Sequence, residues 1–216
     1  MDEYLSELWA RLVDGFAVTL QLLGWSALLA TIVGTLLAAM RVSPVAPLRA
    51  FGTSYVNIFR NTPLVVLFII AVEGLPTLGI IVSFDWFAII TLSVYTSAFI
   101  CEALRAGVNT VDPGQAEAAR SIGMTFGQTL GMVVMPQAFR AVVPPLASVY
   151  IALTKNTAIA AAFGVVEATS TLSNLIRDFA QFYFLSFLGI AAGYIVIVAV
   201  ISAIAAAFER GMAVAR

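Results

Sequence analysis

The chain has 216 residues, 61% of them hydrophobic and 11% charged, with a mean hydropathy of +1.00; a water-soluble domain carries about 25% charged residues, so this chain cannot cover itself with polar surface. A formal net charge of -1 leaves no basic excess for nucleic acid, and the lack of histidine removes the commonest general base and the commonest metal ligand. The single cysteine, Cys101, excludes an intrachain disulfide and a paired-cysteine metal site, and reads as a packed thiol.

Apolar runs of about 20 residues, the length of a helix crossing a bilayer core, recur along the chain. The ten-residue alternation of a membrane β-barrel is absent. The expected class is an all-α polytopic membrane protein: one domain over 1–216, with about five transmembrane helices.

Before the first span, Asp2, Glu3, Glu7 and Asp14 face Arg11 alone, without the basic start and short apolar core of a signal peptide. That span is expected over 16–40, with Thr19, Gln21 and Thr31 turned towards other helices. A proline-broken loop with Arg41, Arg49 and no acid follows. The positive-inside rule places it in the cytoplasm, so the N-terminus lies outside. The second span, 55–73, carries Arg60 and Asn61 in its first part, where Arg60 reaches the inner interface. Pro63 predicts a kink within it. An acidic outer stretch from Glu73 to Asp85 leads to a third span, 86–104, whose Glu102 is spaced to pair with Arg105 at i,i+3.

After a polar loop, 109–136, a fourth span is expected over 137–157, with Pro144 and Pro145 distorting or delaying its start. The stretch 158–183, with Glu167, Arg177 and Asp178, reads as short amphipathic helices at the outer surface. The aromatics of 179–187 read as an interfacial belt. A fifth span, 184–207, ends at Glu209 and Arg210. This topology puts Arg41, Arg49, Arg60, Arg105, Arg120, Arg140, Arg210 and Arg216 inside and Arg11, Lys155 and Arg177 outside, an asymmetry that fits N-out and C-in. No internal repeat is evident.

The loop 109–136 holds the one polar helix in an apolar chain. Asp112-Pro113-Gly114-Gln115 is a helix start, with an Asp N-cap, Pro at N1 and Gln at the capping-box position. Gly123 is placed to turn left-handed and end the helix. Glu117 and Arg120, at i,i+3, can pair or meet a partner. An amphipathic helix resting on the inner leaflet is one reading, but such helices favour Lys, Trp and Phe. Ala116, Ala118 and Ala119 suit a helix docked in a protein groove better.

Glu117-Ala118-Ala119, three residues on to Gly123, and nine more to Val133, Met135 and Pro136 resemble the EAA motif of ATP-binding-cassette importer permeases. The family pattern has Ile and Leu where this chain has Val133 and Met135. Arg60-Asn61-Thr62-Pro63-Leu64 and Lys155-Asn156-Thr157 resemble the RGTPL-like and K-[DN]-T segments of the polar amino-acid branch, with Asn61 in place of the commoner glycine. With Arg41-Val42-Ser43-Pro44, they are most similar to glutamate-uptake permease subunits.

The resemblance implies a type I importer permease fold in a bacterial inner or plasma membrane. It implies that Glu117, Ala118, Ala119, Arg120 and Gly123 form a coupling helix seated in a cytoplasmic ATPase. The implied partners are a dimer of that ATPase, a second permease subunit (identical or sister), and an extracellular or periplasmic amino-acid-binding protein. The chain has no GxxxxGK[ST] phosphate loop, so no catalytic residue and no cofactor is expected in it; ATP and Mg would bind the partner ATPase.

Candidates for the substrate path are Lys155, Asn156, Thr157, Arg60, Asn61, Thr62 and Glu73. The sole lysine, beside two neutral hydrogen-bonding groups, could hold a substrate carboxylate, or else snorkel or pair with Glu167. Glu73 could attract an ammonium group, but a solvated outer-loop acid is the simpler reading. Arg60 is read first as a headgroup anchor. The rival functions are an ion-gradient-driven secondary transporter, which would need a repeated half, and a membrane scaffold.

Overall fold

The computed structural model describes residues 2–212; Arg216, counted above on the inner side, lies outside the described residues. With no water in hydrocarbon, backbone polar groups must pair within the protein, and the described residues comply by forming helices, with no strand among them.

Helix α1, Asp2–Val42, is a single helix of 41 residues. At 1.5 Å per residue it is about 61 Å long, twice the roughly 30 Å hydrocarbon core. The acidic segment before the expected span is therefore the outer continuation of that helix. It is held there by apolar contact: Tyr4 and Leu8 cluster with Leu175, and Tyr4 stacks on Phe182 with ring centroids 4.4 Å apart.

The second span departs from the single helix, kinked at Pro63, expected over 55–73. Two helices, α2 (Ala46–Asn61) and α3 (Leu64–Thr77), meet there at 102°. Pro63 forces its predecessor out of the helical region: Thr62 has ψ 128° and Pro63 itself ψ 134°, and two extended residues in a row end a helix. α2 lies across the inner ends of its neighbours, and a Cβ on Gly52 would sit 2.9 Å from Arg41 Cγ. The Tyr55 hydroxyl donates to the Val94 carbonyl at 3.0 Å. α3 turns back outward and buries Leu64 and Phe68 against Leu22, Ala88 and Leu92.

Helix α4, Phe84–Val108, is the central element. Of its most apolar window 67% is buried, against 11% for the last helix, so α4 is surrounded by its own chain where the last helix is largely uncovered by it. Glycines permit the close approaches. A Cβ on Gly34 of α1 would sit 2.8 Å from Ile100 Cβ and from the Ser97 carbonyl oxygen.

The short helix α5 (Pro113–Ser121) precedes α6, which runs over Phe126–Phe163. α6 begins earlier than the expected 137, because Thr125 and Gln128 form a capping box. Pro144 and Pro145 do not delay it, and the helix is unbroken from Met135 to Asn156. α7 (Ala168–Asp178) lies at the outer end, and α8 (Tyr183–Met212) completes the bundle.

α3 and α6 each contain a π-helical segment, Ile70–Gly74 and Thr129–Val134. Each segment ends two residues before a proline, Pro76 or Pro136. A proline has no N–H for the carbonyl four residues back and its ring crowds that oxygen, here on Val72 and Met132. Widening the turn relieves the clash: the N–H of Leu75 reaches the carbonyl of Ile70, and that of Met135 the carbonyl of Leu130.

Candidate coupling loop and translocation path

Helix α5 is short and sharply bounded. The Asp112 carboxylate accepts from the Gly114 N–H at 2.8 Å, and Pro113 occupies the first turn, where no donor is needed. Gln115 does not close the expected capping box; its N–H donates to the Asp112 carbonyl at 3.0 Å, and the box forms at Thr125 instead. At the other end Gly123 has φ +92°. Its N–H reaches the Arg120 carbonyl, and the Met124 N–H reaches that of Ala119, which is a Schellman closure.

Ala119 is buried, while Glu117, Ala118 and Arg120 face out. Glu117 and Arg120 form no ion pair with each other among the described residues. Beside them Ile122 is 79% and Phe126 71% exposed. One small side chain therefore docks α5 on its own chain, and the charged and large apolar side chains are left uncovered.

At the inner end of the bundle, Glu102 is the hub of more than the expected pair with Arg105. Arg41 binds its Oε1, Arg60 lies 3.3 Å from its Oε2, and Arg105 lies 3.7 Å away. Arg60, read above as a headgroup anchor, also has partners in the protein: it stands at the corner between α2 and α3, with its guanidinium 5.7 Å from the centroid of the Phe99 ring.

Between α4 and α6 lies a cavity of about 350 Å³ lined by Tyr95, Thr96, Phe99, Ser148, Val149, Ala152, Leu153 and Asn156. Its walls are mostly apolar with a few polar groups. The Thr96 hydroxyl is buried with no partner in the protein. Asn156 marks the outer end of the α6 wall and Ser148 the inner.

The structure separates the other candidates. Lys155 is exposed at the end of the α-helical part of α6, with no ion pair to Glu167. Thr157 is fully buried and donates to the Thr154 carbonyl at 2.7 Å, so it faces packing. Asn61 and Thr62 donate to the Asn57 and Ile58 carbonyls, closing the end of α2. Glu73 is exposed within the π segment of α3, away from the cavity. Of the seven, only Asn156 lines the cavity, while Lys155 and Arg60 stand near its two ends.

Glu167 has a different role from the Lys155 partner considered above. It is wholly buried and caps α7 by accepting from the N–H groups of Thr169 (2.7 Å) and Ser170 (3.1 Å). Its second oxygen accepts from the hydroxyls of Thr19 (3.2 Å) and Tyr194 (2.7 Å). Four donors, rather than a cation, compensate the buried carboxylate, and α1, the start of α7 and α8 are tied at one point.

The arrangement is shared with known proteins. Residues 30–214 match the family model of the binding-protein-dependent transport system inner membrane component. The chain is 42% identical over 209 residues to the glutamate transport system permease protein GluC of Corynebacterium glutamicum, covering 89% of this chain and 92% of that one. It is 32% identical over 220 residues to the glutamate/aspartate import permease protein GltJ of Escherichia coli K12, covering 96% and 87%. Among solved structures, a crystal structure of an amino acid ABC transporter with histidines superposes with a TM-score of 0.87 at 30% identity, covering 95% of this chain and 96% of that one. The MetNI methionine ABC transporter superposes at 0.72 and 21% identity, covering 95% and 98%, a likeness of fold. With the multi-pass bundle and the capped loop, these matches show that the chain belongs to the inner-membrane component family of binding-protein-dependent transport systems and has the type I ABC importer permease fold.

Proposed function

We propose that the chain forms half of the translocation pore of an ATP-driven importer for a polar amino acid, with glutamate the favoured cargo. The observation that carries this reading is α5, a helix capped at both ends that turns Glu117, Ala118 and Arg120 outward beside Ile122 and Phe126. A rigid element with that surface suits a groove in a separate cytoplasmic ATPase dimer. ATP and magnesium bind there, and this chain does no hydrolysis. A second permease subunit completes the pore, and a binding protein delivers cargo at the outer face. Glutamate is favoured because GluC and GltJ carry that amino acid in their names. Thr96, Ser148 and Asn156 supply the polar contacts along the path; Lys155 draws an anion to the outer end.

Uptake of radiolabelled glutamate into vesicles containing this chain, its ATPase and its binding protein tests the reading. Transport should require ATP and survive an ionophore. Transport that persists without ATP and collapses with the ionophore would make the chain part of a secondary transporter, and ATP-dependent uptake of a different amino acid would displace glutamate alone.

A further inference from the structure

The inner-end arginine cluster carries more positive charge than its own carboxylate neutralises. Three guanidiniums surround Glu102, which leaves two charges in excess where the cavity wall ends. The three are not equivalent. The Arg41 side chain is 11% exposed and committed to Glu102, whereas that of Arg60 is 44% exposed and shares the carboxylate at its other oxygen.

Helix α4 connects this cluster to the cavity. Tyr95, Phe99 and Glu102 recur at i, i+4 and i+7, so they share one face. Tyr95 and Phe99 have ring centroids 4.9 Å apart, and both line the cavity. Arg60 rests over the Phe99 ring. A second, independent sign of a ligand is the Thr96 hydroxyl, which is 2% exposed as a residue and unpaired in the wall of the same cavity. A buried hydroxyl without a partner is costly, and a polar cargo supplies one.

Resting on the amino-acid reading above, we infer that Arg60 holds a carboxylate of the cargo at the inner end of the cavity, exchanging Glu102 for the cargo. A guanidinium presents a planar pair of donors matched to a carboxylate, and Arg41 and Arg105 remain to neutralise Glu102 when Arg60 leaves it. Either carboxylate of glutamate has this chemistry. The side-chain and main-chain groups are separated by testing glutamine, which keeps only the α-carboxylate, and isoglutamine, which keeps only the side-chain one.

The experiment is equilibrium binding of radiolabelled glutamate, glutamine and isoglutamine to the permease–ATPase complex in lipid nanodiscs. Arg60→Gln should weaken glutamate at least tenfold, together with whichever analogue retains the group that Arg60 holds, and Arg60→Lys should recover part of the loss. Glu102→Gln should have the opposite sign, binding glutamate at least as tightly as the unsubstituted complex because it frees Arg60. A tether between α2 and α4 would instead be damaged alike by Arg60→Gln and Glu102→Gln, and that result overturns the inference. Unchanged binding in Arg60→Gln overturns it as well, and that variant buries no charge should Glu102→Gln fail to fold. Absence of saturable glutamate binding in the unsubstituted complex would also overturn it, while ATP-driven uptake of glutamate, measured separately, would leave the permease reading standing.

Discussion

Replacing Glu167 by alanine removes the four hydrogen bonds of a wholly buried carboxylate. The two hydroxyls have other partners: Thr19 donates to the Gly15 carbonyl, and Tyr194 lies 3.2 Å from the Thr169 hydroxyl. The N–H groups of Thr169 and Ser170 have none, because they lie in the first turn of α7, ahead of any intrahelical acceptor. Thr169 and Ser170 are half-buried, so two orphaned donors cost about 1 kcal/mol each, the low end of the range for a buried group, and the expected loss is about 2 kcal/mol. For a chain of this size each kcal/mol lowers the unfolding midpoint by about 2–4 °C, which predicts a drop of at least about 4 °C. The assay is thermal unfolding of the purified protein in detergent, followed by intrinsic fluorescence. Glu167→Gln keeps an oxygen for both N–H groups and turns its amide towards Tyr194, whose hydroxyl can rotate to accept, so it should lose less than half as much. An unchanged midpoint in Glu167→Ala would refute the cap. Equal losses in both variants would show that charge, not acceptor geometry, is what the site needs.

Three further outcomes are expected. Gly107→Ala should destabilise by about 1–3 kcal/mol in the same thermal scan, because its Cβ would lie 2.9 Å from the backbone of Val142; Gly127→Ala, with nothing within 4 Å, should be neutral, and equal midpoints would dismiss the close approach of α4 and α6. Gly123→Pro, which cannot hold φ +92°, and Glu117→Lys should each leave membrane insertion intact but disconnect ATP hydrolysis from uptake, and normal coupled uptake in both would remove α5 from that role. Lys155→Ala should abolish uptake while ATPase assembly is kept; an unchanged rate and affinity would take Lys155 off the path.

Hydropathy made the class and the approximate membrane crossings legible, because a bilayer leaves the backbone few choices. The ends of α5 were legible too, since Asp112, Pro113 and Gly123 act through local geometry that needs no tertiary partner. What escaped depends on partners distant in the chain. Glu102 has a visible neighbour in Arg105, but nothing local announces Arg41, which reaches it through the packing of α1 on α4, or Arg60, which reaches it once α2 folds across them. Glu167 likewise has no cation to betray it; its partners are Thr19, 148 residues away, and Tyr194. Two further signals are local. Thr125 and Gln128 spell a capping box that starts α6 well before 137, and Pro63 marked a full corner where a kink was expected.

The prolines at 76 and 136 set an angular phase as well as a boundary. An α-helix advances about 100° per residue, so one extra residue taken up in a π turn rotates everything beyond it by roughly that angle. In α6 the turn lies between α5 and the wall that carries Ser148, Ala152 and Asn156. The direction in which that wall faces is therefore indexed to the α5 loop through a proline-held offset, and a substitution at Pro136 is expected to alter the aim of side chains on the next several turns without touching any of them.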